Sequence, residues 1–281
     1  MRIGEIIRDF KSYYRQLKRQ RNVVSLQGRD ARQLFKDVCR ESKPCFVLST
    51  GRCGTKMLTH VLSANPSFDV KHQPAPEMLL MSKYAYNHYK DKDETMQMAF
   101  IAARYEMIRD SFLNDLQYVE TNNRITFFAY QIVELFPSAR FIHLIRHPHA
   151  FISSGMSRGW YLGSHLHDEG RITPQDIYSE WENYSRVQKI ACLWNETNAF
   201  IDAFKQQYGA RVLTMKSEDF FSDPQRVNEI IDFIGADRMN EKYIEKLLSK
   251  PQNTNKKKYI LSGDEKKQVD QLTPISKKYY P

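Results

Sequence analysis

Residues 45–58 read CFVLSTGRCGTKML. A short apolar run passes through two hydroxyl residues into a pair of glycines, Gly51 and Gly54, that enclose Arg52 and Cys53. The order predicts a buried strand, a tight turn and the start of a helix. Glycines let successive main-chain N–H groups face one point, and the following helix adds its own unpaired N–H groups and positive dipole end. A phosphate or sulfate fits such a turn. Thr50 enters it, and Thr55 and Lys56 add a hydroxyl and a charge where the helix begins. The same spelling also suits a turn that holds nothing.

The nucleotide-binding spelling G-x-x-x-x-G-K-[ST] is not met. Counted back from Gly54, the first glycine falls on Ser49; the lysine position holds Thr55, and Lys56 comes one place late, followed by Met57. The loop therefore has the turn chemistry of a phosphate site without the lysine and magnesium-binding hydroxyl that ATP requires.

The segments 45–49, 68–71, 140–145 and 211–216 read as strands, three of them almost continuously apolar, as parallel strands covered on both faces are. Helical patterns separate them at 55–63, 77–117, 149–157, 174–207 and 224–234. This alternation predicts a three-layer α/β fold with a central, mainly parallel sheet flanked by helices. Asp223, Pro224 and Gly235 mark the bounds of one helix as N-cap, first helical residue and stop. The stretch 77–117, rich in tyrosine and methionine, reads as a helical cap over a cleft, although plain helix packing explains its apolar residues equally well. The expected organisation is a basic helical arm over 1–43, an α/β domain over 44–249 and a basic segment over 250–281 that closes over a ligand.

The net charge of +9 over 281 residues is uneven: +7 lies in residues 1–43, +5 in 250–281 and −3 in the body between. A nucleic-acid reader is expected to show its charge on the folded body, so this pattern argues against one. Ile3, Ile6, Ile7, Phe10, Tyr14 and Leu17 are spaced for a helix that packs on the body or, in the alternative, touches anionic lipid from residues 1–21. No apolar run approaches the ~20 residues that span a bilayer, and the first residues have no apolar signal region. Cys39, Cys45, Cys53 and Cys192 lack disulfide or zinc spacing, which predicts free thiols and a cytoplasmic location, with the inner membrane surface as the alternative. His147, His149, His165 and His167 are not spaced as a metal site, and no metal is assigned.

A second anion site follows the strand ARFIHLI (139–145), which ends in RHPHAFISSG (146–155). Phosphate-loop NTPases often place a magnesium-binding aspartate at such a point. This chain places Arg146 there, with Ser154 eight residues on, and a forked guanidinium plus a hydroxyl suits a phosphate without a metal. Taken alone, Arg146 could equally pair with a carboxylate at the sheet edge.

Together, LSTGRCGTKML (48–58) and RHPHAFISS (146–154) resemble the 5′- and 3′-phosphate-binding motifs of the sulfotransferases that use 3′-phosphoadenosine 5′-phosphosulfate (PAPS). VLTMKSEDFFSDPQRVNEIIDFIG (212–235) is similar to that family's later strand, acidic turn and helix. The resemblance spans about 44–249 and is nearer to carbohydrate-modifying and bacterial members, which carry arginine in the loop. It implies PAPS as co-substrate, no metal, and transfer of a sulfuryl group to an acceptor hydroxyl on a carbohydrate or glycolipid; a lipid headgroup or peptide tyrosine is the other acceptor class. It also implies that Arg52 stabilises the leaving 5′-phosphate oxygen, that Cys53, Gly54, Thr55 and Lys56 contact the same phosphate, and that Arg146 and Ser154 hold the 3′-phosphate. Carbohydrate-type relatives carry a glutamate before proline about twenty residues beyond the loop; here that place is Gln73, which cannot take a proton. His72 beside it, Glu77 downstream and Glu120 in YVETNN (118–123) are the candidate bases. Asn255 and Lys256, in the polar stretch 251–258, are weaker candidates for contacting the donor. The rival readings are a small-molecule kinase and a non-catalytic module that binds anions or membranes.

Overall fold

The computed structural model describes residues 30–91, 94–163, 166–249 and 259–281. Five parallel strands form one sheet: β1 (Cys45–Leu48), β2 (Phe68–His72), β3 (Gln117–Thr121), β4 (Arg140–Ile145) and β5 (Val212–Lys216), in the order β2-β3-β1-β4-β5. Side chains alternate across the sheet and so build two cores. Phe46, Leu48, Tyr118, Phe141 and Ile145 enter one, Cys45, Val47, Val119, Ile142 and Leu144 the other. Both faces are covered, hence the unbroken apolar runs of β1 and β4.

On the first face lie α1 (Ala31–Glu41), α3 (Leu79–His88), α4 (Glu94–Leu113), α5 (Ala129–Leu135), α6 (Pro148–Met156) and α8 (Arg186–Tyr208), while the short α7 (Leu166–Glu169) lies by the cleft described below. On the second lie α2 (Thr55–Leu62), α9 (Ser217–Ser222), α10 (Pro224–Ile234) and α11 (Glu241–Leu248). This is the expected three-layer α/β fold, with every strand parallel. The expected bounds of α10 hold: Asp223 accepts from the Gln225 N–H at 2.8 Å and Gly235 ends the helix at φ 96°.

One strand escaped the sequence reading. β3 lies in QYVET, where a glutamate and two other polar residues hide the apolar pattern, and the helix expected up to residue 117 ends at Leu113. Its acidic member is affordable because Arg104 of α4 meets it: Arg104 Nε lies 2.8 Å from Glu120 Oε2, both side chains fully buried. Tyr118 Oη and Asn122 Nδ2 donate to the same carboxylate at 2.8 and 3.0 Å. A buried ion pair of this kind is tolerated only when its remaining hydrogen-bonding capacity is also used.

The stretch 77–117 thus forms two helices, and α4 buries Met96, Phe100 and Ile108 in the first core. Of the basic N-terminal arm, the described part is α1, capped by Asp30 and anchored through Leu34 and Val38. The proposed lipid-facing segment 1–21 lies outside the described residues, as do Asn255 and Lys256. Residues 259–281 add α12 (Gly263–Leu272) and α13 (Ser276–Tyr279), and α12 packs on α8. They also reach the segment after β4: His149 Nε2 lies 2.7 Å from Asp270 Oδ1, and Glu218 accepts from both Tyr280 Oη (3.0 Å) and the His147 N–H (3.1 Å). All four cysteines are free thiols, and no helix among the described residues is long and apolar enough to cross a membrane.

Candidate active site

The carboxyl ends of all five strands share one edge of the sheet, which is where ligands bind in open parallel α/β sheets. A cleft of about 850 Å³ opens there. The glycine loop forms its floor. Gly51, Arg52 and Gly54 all have positive φ (77°, 56° and 89°). For Arg52 that conformation is costly, of order 1–3 kcal/mol, and persists only where neighbours impose it. A Cβ on Gly54 would stand 2.5 Å from Phe221 Cζ, so no other residue fits there without displacing the ring.

Several hydrogen bonds hold the loop. Thr126 Oγ1 accepts from the Ser49 N–H (3.0 Å) and donates to the Ser49 carbonyl (3.1 Å). Arg146 Nη1 donates to the Arg52 carbonyl at 2.9 Å, and Arg52 Nε donates to Ser154 Oγ at 3.2 Å. The Ser217 hydroxyl is shared between the carbonyls of Cys53 (2.7 Å) and Ile145 (3.0 Å), tying the ends of β1, β4 and β5 together. Trp194 Nε1 steadies Arg146 from behind through its carbonyl at 2.9 Å. Burial, reinforced by Arg158 and Arg146, lowers the Arg52 guanidinium to about 10, still cationic at neutral pH. Two arginines held this close form a charge arrangement that a bound anion relieves.

Gly54 is the N-cap of α2 and has no side chain with which to cap the first turn. The free N–H groups of that turn meet the cleft with Thr55 and Lys56, the arrangement that binds oxyanions. Thr50, Gly51, Arg52, Gly54, Thr55, Lys56 and Arg146 all line the cleft. Cys53 lies fully buried below, its thiol raised to about 11 by burial, so it serves the loop's packing and contributes no charge.

The three candidate bases part company. His72, the last residue of β2, lines the cleft. Its Nδ1 lies 3.0 Å from the Thr121 carbonyl and 2.9 Å from Thr121 Oγ1. A carbonyl can only accept, so Nδ1 carries the proton and Nε2 the lone pair. Burial, aided by nearby Lys56, lowers its pKa despite the opposing hydrogen bond, which keeps the ring a neutral base at pH 7. Thr121 Oγ1 continues to Thr59 Oγ1 at 2.6 Å, and Thr59 donates to the Thr55 carbonyl at 2.8 Å, linking the histidine to the helix of the phosphate loop. Glu120, by contrast, is fully buried, bound by Arg104, Tyr118 and Asn122, and does not line the cleft, so it does not meet a substrate there. Glu77 is exposed on the approach to α3, acting on the cleft only through its charge near Arg124. Gln73 occupies the cleft wall at φ 45° and donates to Asn123 Oδ1 at 3.3 Å.

Residues outside the sequence motifs complete the cleft. Arg124 and Asn123 follow β3, while Arg158, Trp160, Asp168 and Arg171 come from the segment after α6. Among the described residues, none of 77–117 and none of 259–281 lines it. Single arginines in irregular segments give no periodic or motif signal, and the missed β3 concealed the position of Arg124. No group of three or more potential metal ligands occurs among the described residues.

A sequence model described as the sulfotransferase family matches residues 44–241. No curated protein matches the chain in sequence. Among solved structures, sulfotransferase STF1 from Mycobacterium tuberculosis H37Rv superposes with a TM-score of 0.50 at 15% identity, covering 85% of this chain and 78% of that one. Sulfotransferase STF9 from Mycobacterium avium superposes with a TM-score of 0.50 at 14% identity, covering 92% of this chain and 80% of that one. At such identities the structural likeness concerns the fold.

Proposed function

Because the chain belongs to the sulfotransferase family, we propose that it moves a sulfuryl group from PAPS to an acceptor hydroxyl on a carbohydrate or glycolipid. The observation that carries the choice of donor is the interlock of Arg52, Arg146 and Ser154, which joins two anion-binding segments 94 to 102 residues apart. A ligand with one anionic group fits half of it; a ligand with separate 5′ and 3′ phosphates fits both. The residues present suit that donor: a cationic loop, an uncapped helix start, and a guanidinium beside a hydroxyl.

PAPS, when bound, supplies an activated sulfuryl group whose leaving oxygen belongs to the 5′-phosphate. The chain's part is positioning, proton removal and charge stabilisation. His72 Nε2 accepts the proton of the acceptor hydroxyl, and the Nδ1–H bond to Thr121 keeps the ring in the required tautomer. Arg52, Lys56 and the N–H groups of the loop and first turn of α2 stabilise negative charge on the 5′ side. Arg146 and Ser154 hold the 3′ side, and Arg146 also holds the Arg52 carbonyl, so donor binding and loop geometry depend on the same guanidinium. With this goes the expectation of a cytoplasmic protein that works without a metal.

Calorimetry with 3′,5′-ADP and with ATP–Mg²⁺ tests the donor. Tight binding of 3′,5′-ADP in the presence of a chelator is expected, and preference for ATP–Mg²⁺ overturns the reading in favour of a kinase.

A further inference from the structure

The cations of the cleft fall into two neighbourhoods. Arg52 and Lys56 follow β1 and Arg146 follows β4, and all three line the cleft. Arg124 follows β3 and, with Arg171, borders a small recess beside Ser49 and Thr50 that Arg52, Lys56 and Arg146 do not line. Arg171 accompanies Arg124, which bonds to the carbonyl of Gly170, the residue before Arg171.

Arg171 is only 8% exposed and lies with its guanidinium carbon 3.8 Å from the centre of the Trp160 ring. Its Nε pairs with Asp168 Oδ1 at 2.9 Å, and Asp168 Oδ2 also accepts from the Tyr161 N–H at 3.1 Å. That carboxylate is therefore already engaged through both of its oxygens. Arg124 Nη1 donates to the Gly170 carbonyl at 3.1 Å, and no carboxylate among the described residues is in ion-pair contact with it. The half-buried Arg124 and the buried Arg171 line the cleft together with Arg52, Lys56, Arg146 and Arg158, whereas among the described residues Asp168 is the one carboxylate that lines it and Glu77 acts on Arg124 from outside, so the cleft keeps an excess of positive charge. Desolvated cations are kept in such a state where a ligand anion completes them. Burial and Arg171 lower Arg124 to about 10, so it is charged at neutral pH.

We propose that Arg124 and Arg171 form an acceptor subsite for an oxyanion, so that the molecule sulfated at the His72 side carries a carboxylate or a phosphate ester of its own. The assignment of this half of the cleft to the acceptor rests on the donor reading given above. Arg124 contributes its free N–H groups, and Arg171 is the positioning cation, fixed by Trp160 and Asp168. The subsite selects an anionic acceptor over its neutral isostere because the neutral one leaves buried charge unpaired, the condition under which discrimination is largest.

Saturation-transfer NMR with D-glucuronate, D-glucose 6-phosphate and D-glucose tests the subsite, on the protein alone and saturated with 3′,5′-ADP. At least one anionic sugar is expected to bind in both states, at least tenfold more tightly than glucose, and the better of the two identifies carboxylate or phosphate. Arg124→Gln should abolish that preference, and Arg171→Lys should weaken it, with the affinity for 3′,5′-ADP changed less than twofold. Equal binding of glucose, binding of neither anion, or an unaltered preference in Arg124→Gln overturns the proposal. Failure of 3′,5′-ADP to bind refutes the donor reading instead, and the titrations of the protein alone then still decide whether Arg124 holds an anion.

Discussion

Arg146 Nη1 donates to the main-chain carbonyl of Arg52 at 2.9 Å, across 94 residues of chain. The side chain that follows β4 thereby holds the residue that turns the glycine loop after β1, and the two segments proposed to bind the donor's phosphates become one object. Arg52→Ala is expected to lower kcat by about 10²–10³-fold, the usual loss when one charge-stabilising donor is removed. Arg146→Ala should chiefly weaken 3′,5′-ADP binding, by on the order of tenfold or more for a charge-assisted hydrogen bond. Steady-state kinetics and calorimetry on both variants check this, and near-wild-type behaviour of the pair would remove the site assignment.

His72 should appear in the pH profile. A base must be deprotonated to act, and this ring's pKa is lowered by burial. The acidic limb of kcat/KM is therefore expected below the ordinary histidine range near 6.5, with full activity above it and loss as pH falls through the lowered value. His72→Ala should remove most activity and the limb with it, whereas Glu77→Gln should leave the limb in place. Persistence of the limb in His72→Ala would assign the proton to another group.

Gly54→Ala combines two penalties, a φ of 89° and a Cβ 2.5 Å from Phe221. The left-handed backbone alone costs a non-glycine residue about 1–2 kcal/mol. The variant should melt several degrees lower and bind 3′,5′-ADP poorly. Adding Phe221→Ala should recover only part of the melting temperature, since removing the ring leaves the backbone strain. Thermal unfolding of the single and double variants gives the comparison.

Glu120→Gln breaks the fully buried pair with Arg104. Leaving one buried charge uncompensated typically costs about 3–5 kcal/mol. Urea unfolding is expected to show that loss, while the folded fraction keeps its kcat, because Glu120 supports β3 without facing the cleft. The double variant Arg104→Met, Glu120→Leu should be less destabilised than Glu120→Gln. A large fall in kcat per folded molecule would return Glu120 to the list of bases.

The glycine loop, Arg146 and Ser154 were legible because their chemistry is local. A turn with glycines at φ 77° and 89° and an arginine eight residues before a serine on a helix can both be read along the chain. The all-parallel sheet was legible from apolar runs, except at β3, where a buried glutamate broke the pattern and its partner lay sixteen residues upstream.

What sequence alone determined was the layered α/β class, the two segments that meet at the cleft and the family they resemble, since each depends on neighbours within a few residues. The tertiary structure decided which base faces the cleft and which cations join it. Glu120 and His72 are equally plausible as letters; strand register puts them opposite Phe46 and Thr121, one inside the protein and one at the sheet's edge. Ser217, Arg124 and Arg171 enter the site from separate segments, because charge and hydrogen bonding act through space and their partners are chosen by folding.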